Sequence, residues 1–365
     1  MSCGGINMKN TVVRALLISC VAQLILSVTA QAGQLTYRGI NLQSLGIYKS
    51  SALPSDPGTS LYGLTFVTGF SDIPSGIPGN TLELFPIAGT NWSSGTYDSD
   101  GNKVQGVGKI TATAEILRFL YVYPDALQPA NTHIRLASDF VLPALVNVHV
   151  NIGGNSGSGL GGGNIGDISW APIAVLFTGY GNSNVHFSTY LGALFNLPTG
   201  SYSENSAFNI GSNEYSMTVL ANPIVTFPNF DHLFLDTEFQ YTHTIRGNNR
   251  FRIGGNEAAT LKLVGAPSST YSTGDLFTIN ADVLVPVTPR LALGPSFAVL
   301  DQLTNDTWSG STVSNSGEFL LGAGFGLQYR FNGINFQVKY LRSFHARNTP
   351  RYNTVWAQFS VPFGL

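Results

Sequence analysis

Six histidines, His133, His149, His186, His232, His243 and His345, are the side chains of this 365-residue chain best suited to hold a metal or move a proton near neutral pH. A zinc site needs such ligands at short fixed spacings, usually with cysteine, and no two of these histidines stand that way. Cys3 and Cys20 both lie near the start and leave the rest of the chain without thiolate or disulfide chemistry. Ser188 and Ser343 could act as nucleophiles beside His243 or His345, but neither sits in a Gly-x-Ser-x-Gly turn or a comparable setting. Gly157-Ser158-Gly159-Leu160-Gly161-Gly162 has the spacing of a dinucleotide-binding loop, which requires a strand before it and a helix after it. The next residues, from Asn164 to Trp170, read as a strand, so the glycine-rich stretch is a loop. The expectation is therefore a protein with no catalytic residue, no metal site and no cofactor, and not an enzyme.

A second set of polar residues has a different logic. Asp236, Glu238, Gln240, Arg246, Asp282, Glu318, Arg330 and Lys339 fall on one face of segments in which every second residue is apolar. Such a face can form a polar lining that screens solutes, or a set of paired wall charges that brace a closed interior. Both readings stand at this point.

The segments that carry them are strands. Leu233, Leu235, Phe239 and Tyr241 alternate with Asp236, Glu238, Gln240 and Thr242, and Ile334, Phe336, Val338 and Tyr340 alternate with Asn335, Gln337 and Lys339. Phe319, Leu321, Ala323, Phe325, Leu327 and Tyr329 face away from Gly322, Gly324, Gly326 and Gln328. The pattern predicts twelve strands, at 58–71, 109–123, 133–150, 165–179, 184–197, 214–227, 232–246, 274–287, 291–303, 318–331, 334–346 and 353–363. Long polar connections at 72–108, 151–164, 198–213, 247–273 and 304–317 alternate with tight ones at Gly181-Asn182, Pro228-Asn229-Phe230, Thr288-Pro289 and Asn332-Gly333. The connection at 124–132 is long where a tight turn is expected. Short turns at one end and long loops at the other are the pattern of an outer-membrane barrel.

Composition supplies the reason. Only 10% of residues are charged, against roughly 25% for a soluble domain, while 43% are hydrophobic and 12% aromatic. Disorder is excluded by the aromatic content and the net charge of −2, and multispan helical topology by the lack of apolar runs of about 20 residues after the N-terminus. A lipid-facing strand surface cannot carry charge, so the chain has little of it. No basic patch suggests nucleic acid. At the start, Lys9 and Arg14, an apolar run from Ala15 to Val28 and Ala30-Gln31-Ala32 form a three-part secretory signal. Leu17-Ile18-Ser19-Cys20 also has the look of a lipoprotein processing box. The expected organisation is a signal peptide at 1–32, a periplasmic segment at 33–57 that could plug the mouth, and an antiparallel up-and-down transmembrane β-barrel at 58–365. Trp170, Trp356, Tyr241, Phe227 and Tyr329 are placed near strand ends, where aromatic rings favour the lipid–water interface.

Several pieces in order resemble the bacterial MetA-pathway of phenol degradation family of outer-membrane transporters. They are Leu53-Pro54-Ser55-Asp56-Pro57-Gly58, Ile165-Gly166-Asp167 with Pro172, Pro198-Thr199-Gly200-Ser201-Tyr202, Asn209-Ile210-Gly211-Ser212-Asn213 and the closing Phe359-Ser360-Val361-Pro362-Phe363. The resemblance runs from about residue 50 to 363 and implies passive uptake of small, aromatic or hydrophobic compounds; it names no site residue. The expected partners are outer-membrane lipid, a small-molecule solute and the barrel-assembly machinery, with the oligomeric state open. The competing expectation is a structural or adhesion barrel that binds a partner through its long external loops.

Overall fold

The computed structural model describes residues 36–37, 40–41, 79–103, 107–130, 133–152, 155–158, 165–182, 184–200, 214–230, 232–247, 249–250, 270–308, 311–331 and 334–364. The expected signal peptide and the strand at 58–71 lie outside them. So does the expected plug at 33–57, apart from a two-stranded pairing of Thr36–Tyr37 with Ile40–Asn41.

The wall consists of twelve long antiparallel strands. They are β1 (Thr81–Thr96), β2 (Val107–Val122), β3 (Ile134–Ile152), β4 (Ile168–Gly181), β5 (His186–Leu197), β6 (Glu214–Phe227), β7 (Leu233–Gly247), β8 (Leu276–Pro286), β9 (Leu291–Gln302), β10 (Phe319–Phe331), β11 (Ile334–Arg347) and β12 (Pro350–Gly364). Each pairs with its neighbours in chain order, and β12 pairs with β1 through a register that includes Trp356↔Gly89 and Phe363↔Leu82. The sheet is therefore a closed barrel with no open edge, the condition for a sheet in lipid.

Eleven of the expected strands coincide with observed ones to within a few residues; the first, at 58–71, lies outside the described residues. The stretch 72–108, expected to be a loop, contains β1 and the start of β2. Its sequence hides a strand, because Leu82, Leu84, Phe85 and Ile87 put apolar groups on both faces, and Pro86, Gly89, Asn91, Ser93 and Gly95 read as turn residues. The proline is accommodated where the ladder with β12 lapses, between Ile87↔Gln358 and Leu84↔Val361, so its missing N–H breaks no rung there.

The short connections behave as their residues dictate. The Asn182 side chain accepts from the backbone N–H groups of Asn184 and Val185, and Thr288 Oγ1 from those of Arg290 and Leu291. The anomalous 124–132 connection is tied down by Gln128. Its amide nitrogen donates to the carbonyls of Tyr123 and Leu136 at 2.6 and 3.1 Å, and its Oε1 accepts from Leu136 N at 2.6 Å. At the opposite end, two of the long polar connections are joined. Asn249–Arg250, Thr270–Ser272, Thr307–Trp308 and Ser311–Thr312 form a four-stranded sheet linking the β7–β8 and β9–β10 connections.

Along the strands, one face is buried and the other presents apolar rings to the surroundings. Outward residues include Trp170, Leu191, Phe195, Phe239, Tyr241, Phe325, Tyr340 and Phe359, all more than a third exposed. In water this surface would be a large unfavourable patch; in a bilayer it is the required coat, and the barrel belongs to the outer membrane. Trp356 corrects the expectation of an interfacial ring. It stands in the inward row of β12, is 1% exposed, and lies over Gly89 of β1, where any Cβ would occupy the indole ring.

Substitutions on the two faces should behave differently. Phe325 lies in the middle of β10 and Phe331 at its end, both outward. Phe325→Arg should cost about 2–4 kcal/mol and impair assembly, while Phe331→Arg should cost about 0–1 kcal/mol; heat-modifiable migration in detergent gels reads the difference. Gly89→Leu should destabilise the barrel by about 1–3 kcal/mol through overpacking, and Trp356→Ala in the same chain should relieve most of that loss in thermal melts.

Candidate functional site

The inward faces of the strands divide the barrel interior into two chemically different halves. From β1 to β6, with Trp356 of β12, the inward set is mainly apolar: Phe85, Ile87, Ile116, Leu120, Leu176, Leu194, Leu220 and Ile224 pack into one cluster around Tyr190. From β7 to β12 it is mainly polar, with Asp236, Glu238, Gln240, Asn280, Asp282, Gln328, Asn335, Gln337, Lys339 and Gln358 all buried. This polar band has apolar bounds. Leu300, Leu320 and Leu341 cluster towards the long-loop end, and Phe234, Leu284 and Ala292 towards the short-turn end.

An ion pair stands within the apolar cluster. Arg118 of β2 is inserted in Ile116-Leu117-Arg118-Phe119-Leu120, and alternation turns it inward with Ile116 and Leu120. Its Nε donates to both oxygens of Asp139 on β3, and its Nη2 to Asp139 Oδ2 at 2.6 Å. Tyr190 reaches across the intervening β4 to donate its hydroxyl to Asp139 Oδ2 at 2.7 Å. The guanidinium also lies over the Phe85 and Tyr190 rings, at 5.8 and 5.5 Å from their centroids. A charge removed from water is thus matched by a forked carboxylate and two π faces.

The polar half has its own pair. Lys339 of β11 meets Asp282 of β8 at 3.1 Å, although β9 and β10 stand between them and the wall path is about 14 Å. Only side chains on the concave face of a curved sheet can meet in this way. Ser296 of β9 donates to the other oxygen of Asp282, and Gly326 of β10 leaves the space that Ser296 and Asp282 fill. Asp236 accepts from the Asn222 amide at 2.7 Å, and Glu238 from Gln240. Glu238 lies within electrostatic reach of both Arg118 and Lys339. Several buried atoms of this band have no hydrogen-bond partner: Asp236 Oδ2, Glu238 Oε2, Gln240 Oε1, and both polar atoms of the Asn335 and Gln337 amides.

The eight residues singled out from alternation do not all fall together. Asp236, Glu238, Gln240, Asp282 and Lys339 share the polar band, and Glu318 is buried beyond it, above the bulge between Leu321 and Gly322. Arg330 is exposed at the short-turn end of β10. There it lines a cavity of about 370 Å³ with His232, Phe234, Pro286, Arg290 and Gln328. Arg246 lies past a bulge that omits Ile245 and puts it in register with outward-facing Tyr215; its side chain is outside the described residues. Arg118, Asp139, Tyr190 and Trp356 were not among the eight. A lone arginine inside an apolar strand is itself a signal for an inward ion pair, since such a strand has lipid on its other side.

Of the candidate nucleophiles and bases, Ser188 and His243 stand far apart. Ser188 opposes Ile224 and His243 opposes Met217, seven positions apart along β6, or about 24 Å. His243 instead meets Asp275 at 2.8 Å on the outside of the barrel, where Tyr241 donates to the same carboxylate. No metal-holding group of three His, Cys, Asp or Glu occurs among the described residues.

Comparison with curated protein sequences finds no significant relative. Among solved structures, an outer membrane channel of Pseudomonas putida F1 superposes with a TM-score of 0.63 at 16% identity, over 79% of this chain and 97% of that one. More distant is the transport unit of the autotransporter AIDA-I from Escherichia coli, at TM-score 0.45, 8% identity and 84% and 95% coverage. The translocator domain of the autotransporter NalP from Neisseria meningitidis stands at 0.38, 11%, and 82% and 93%. The first shows the same barrel fold. The family model described as MetA-pathway of phenol degradation matches residues 93–359, most of the barrel, and the chain belongs to that family.

Proposed function

We propose that the barrel is a passive outer-membrane channel for small molecules that combine an aromatic or hydrophobic body with a polar group. The observation that carries this reading is the divided interior. An apolar wall built from Ile116, Leu120, Leu176, Leu194 and Trp356 stands beside a polar one whose amides and carboxylates include atoms without protein partners. A purely structural barrel gains nothing from buried, unpaired polar atoms, each of which costs about 1–3 kcal/mol. A channel gains a surface that exchanges hydrogen bonds with water or a passing solute. The family's label agrees with an aromatic class of solute.

The long-loop end faces outward and the short turns face the periplasm, following the general rule for such barrels. The inward side chains of the band are 1–3% exposed, so the barrel is closed at this level at rest and a passage there requires movement of the groups that cover it. That supports the plug assigned to 33–57 and a wall that opens little. Lipid and a small solute are then the working partners. Strand β12, which carries Phe363 before its last residue Gly364, is the element proposed to meet the barrel-assembly machinery, and the Gly364-Leu365 ending departs from the usual terminal aromatic.

A second reading has one observation in its favour. The four-stranded sheet joining the β7–β8 and β9–β10 connections gives the long-loop end an ordered surface that could bind a partner.

Liposome swelling separates these. Aromatic glycosides and simple sugars of similar size, which cross bare lipid slowly, should enter protein-bearing vesicles, with the aromatic glycosides faster by a few-fold. No uptake above protein-free vesicles would remove the channel reading. Deleting residues 33–57 should raise conductance in planar bilayers; unchanged conductance and flux would show that this segment is no plug.

A further inference from the structure

Among the described residues, the charges of the polar band do not balance. Arg118 is matched by Asp139, and Lys339 by Asp282, each at direct ion-pair distance. Asp236 and Glu238 remain, adjacent along the inward row of β7, 2% and 3% exposed, each with one carboxylate oxygen that meets no donor. Both lie within reach of Lys339, whose ammonium is already bonded to Asp282. On β11, next along the inward row from Lys339, the Gln337 amide has both its donor and its acceptor without a partner, 2% exposed. A solute anion at this level finds its two candidate cations matched and two further carboxylates in its path. A cation finds those same carboxylates, and a neutral hydroxyl finds amide and carboxylate acceptors.

Resting on the channel reading, we propose that Asp236 and Glu238, with the amide of Gln337, form a filter that passes cations and neutral hydroxyl-bearing solutes ahead of anions. The basic residues of the short-turn mouth, Arg290 and Arg330, are exposed, where water and salt screen them, and do not set the preference. A passage that conducts ions holds water, which restores hydration to these two carboxyl groups and lets them ionise; fixed charges of one sign in such a passage raise the local concentration of counter-ions by about tenfold or more. The protonated form of a weak acid then travels more easily than its carboxylate.

Reversal potentials in planar bilayers under a potassium chloride gradient test this with the purified full chain. The unaltered protein should pass potassium ahead of chloride by about fivefold or more. Asp236→Asn with Glu238→Gln, which preserves shape, should bring the ratio close to one, and Gln337→Glu should raise it. Heat-modifiable migration checks that each variant is folded. Chloride preference or no preference in the unaltered protein overturns the inference whatever the variants do. A cation preference that folded variants leave unchanged overturns the assignment to these residues. Conductance without selectivity leaves the channel reading standing, whereas the absence of any conductance removes that reading and this inference with it.

Discussion

A backbone N–H or C=O without a partner in hydrocarbon costs several kcal/mol, and this constraint shapes the whole molecule. A sheet satisfies it only if its last strand returns to its first. The β12–β1 seam performs that closure across nearly the full chain, with Ser360 and Glu83, 277 positions apart, bonded across it. The seam also explains two odd residues of β1. Gly89 is small because Trp356 lies on it, and Pro86 is tolerated where the ladder to β12 lapses. Once the ring is closed, every residue has either lipid or interior on its side, and the ordinary rule of apolar inside and polar outside no longer applies.

That inversion decides how much was legible in the sequence. Strands β2 to β12 were readable because charge is forbidden on one face, so alternation survives in β7, β10 and β11 with little noise. β1 was not, since Phe85 and Ile87 face inward and Leu82 and Leu84 outward, leaving no contrast between the faces. The polar half of the interior was legible for the same reason as the strands. The apolar half was not, because inward Leu120, Leu176 and Leu194 look the same as outward leucines in sequence. A single bulge defeats any counting of parity, as Arg246 shows by taking the register of Tyr215. The pairing of Lys339 with Asp282 across two strands depends on curvature, which no local pattern carries.

On the proposed channel function, the two readings of the inward charges, lining or bracing, apply to different residues. Arg118 with Asp139 and Lys339 with Asp282 are braces. Removing one member of a buried pair leaves an unmatched charge, usually at a cost of about 3–5 kcal/mol, so each pair fixes the approach of the strands that carry it. Asp236 and Glu238 are held by the Asn222 and Gln240 amides, which orient a carboxyl group without supplying a counter-charge. The chain keeps only 10% charged residues, and places some of them where neither lipid nor solvent requires them.

Width supplies the last step. Twelve strands stand between barrels of eight, whose interiors side chains fill, and those of sixteen to eighteen, which enclose an aqueous channel. At this circumference the size of each inward residue matters. Gly326 leaves room for Ser296 and Asp282, while Trp356, Tyr190 and Phe85 take space from the opposite side. The space between the two halves is bounded by the apolar cluster on one side and the polar band on the other. A solute passing there would move along carboxylates and amides with its apolar edge against Trp356 and its neighbours. In such a passage wall chemistry acts at contact distance, and a wide pore of the same composition would lose that effect to intervening water.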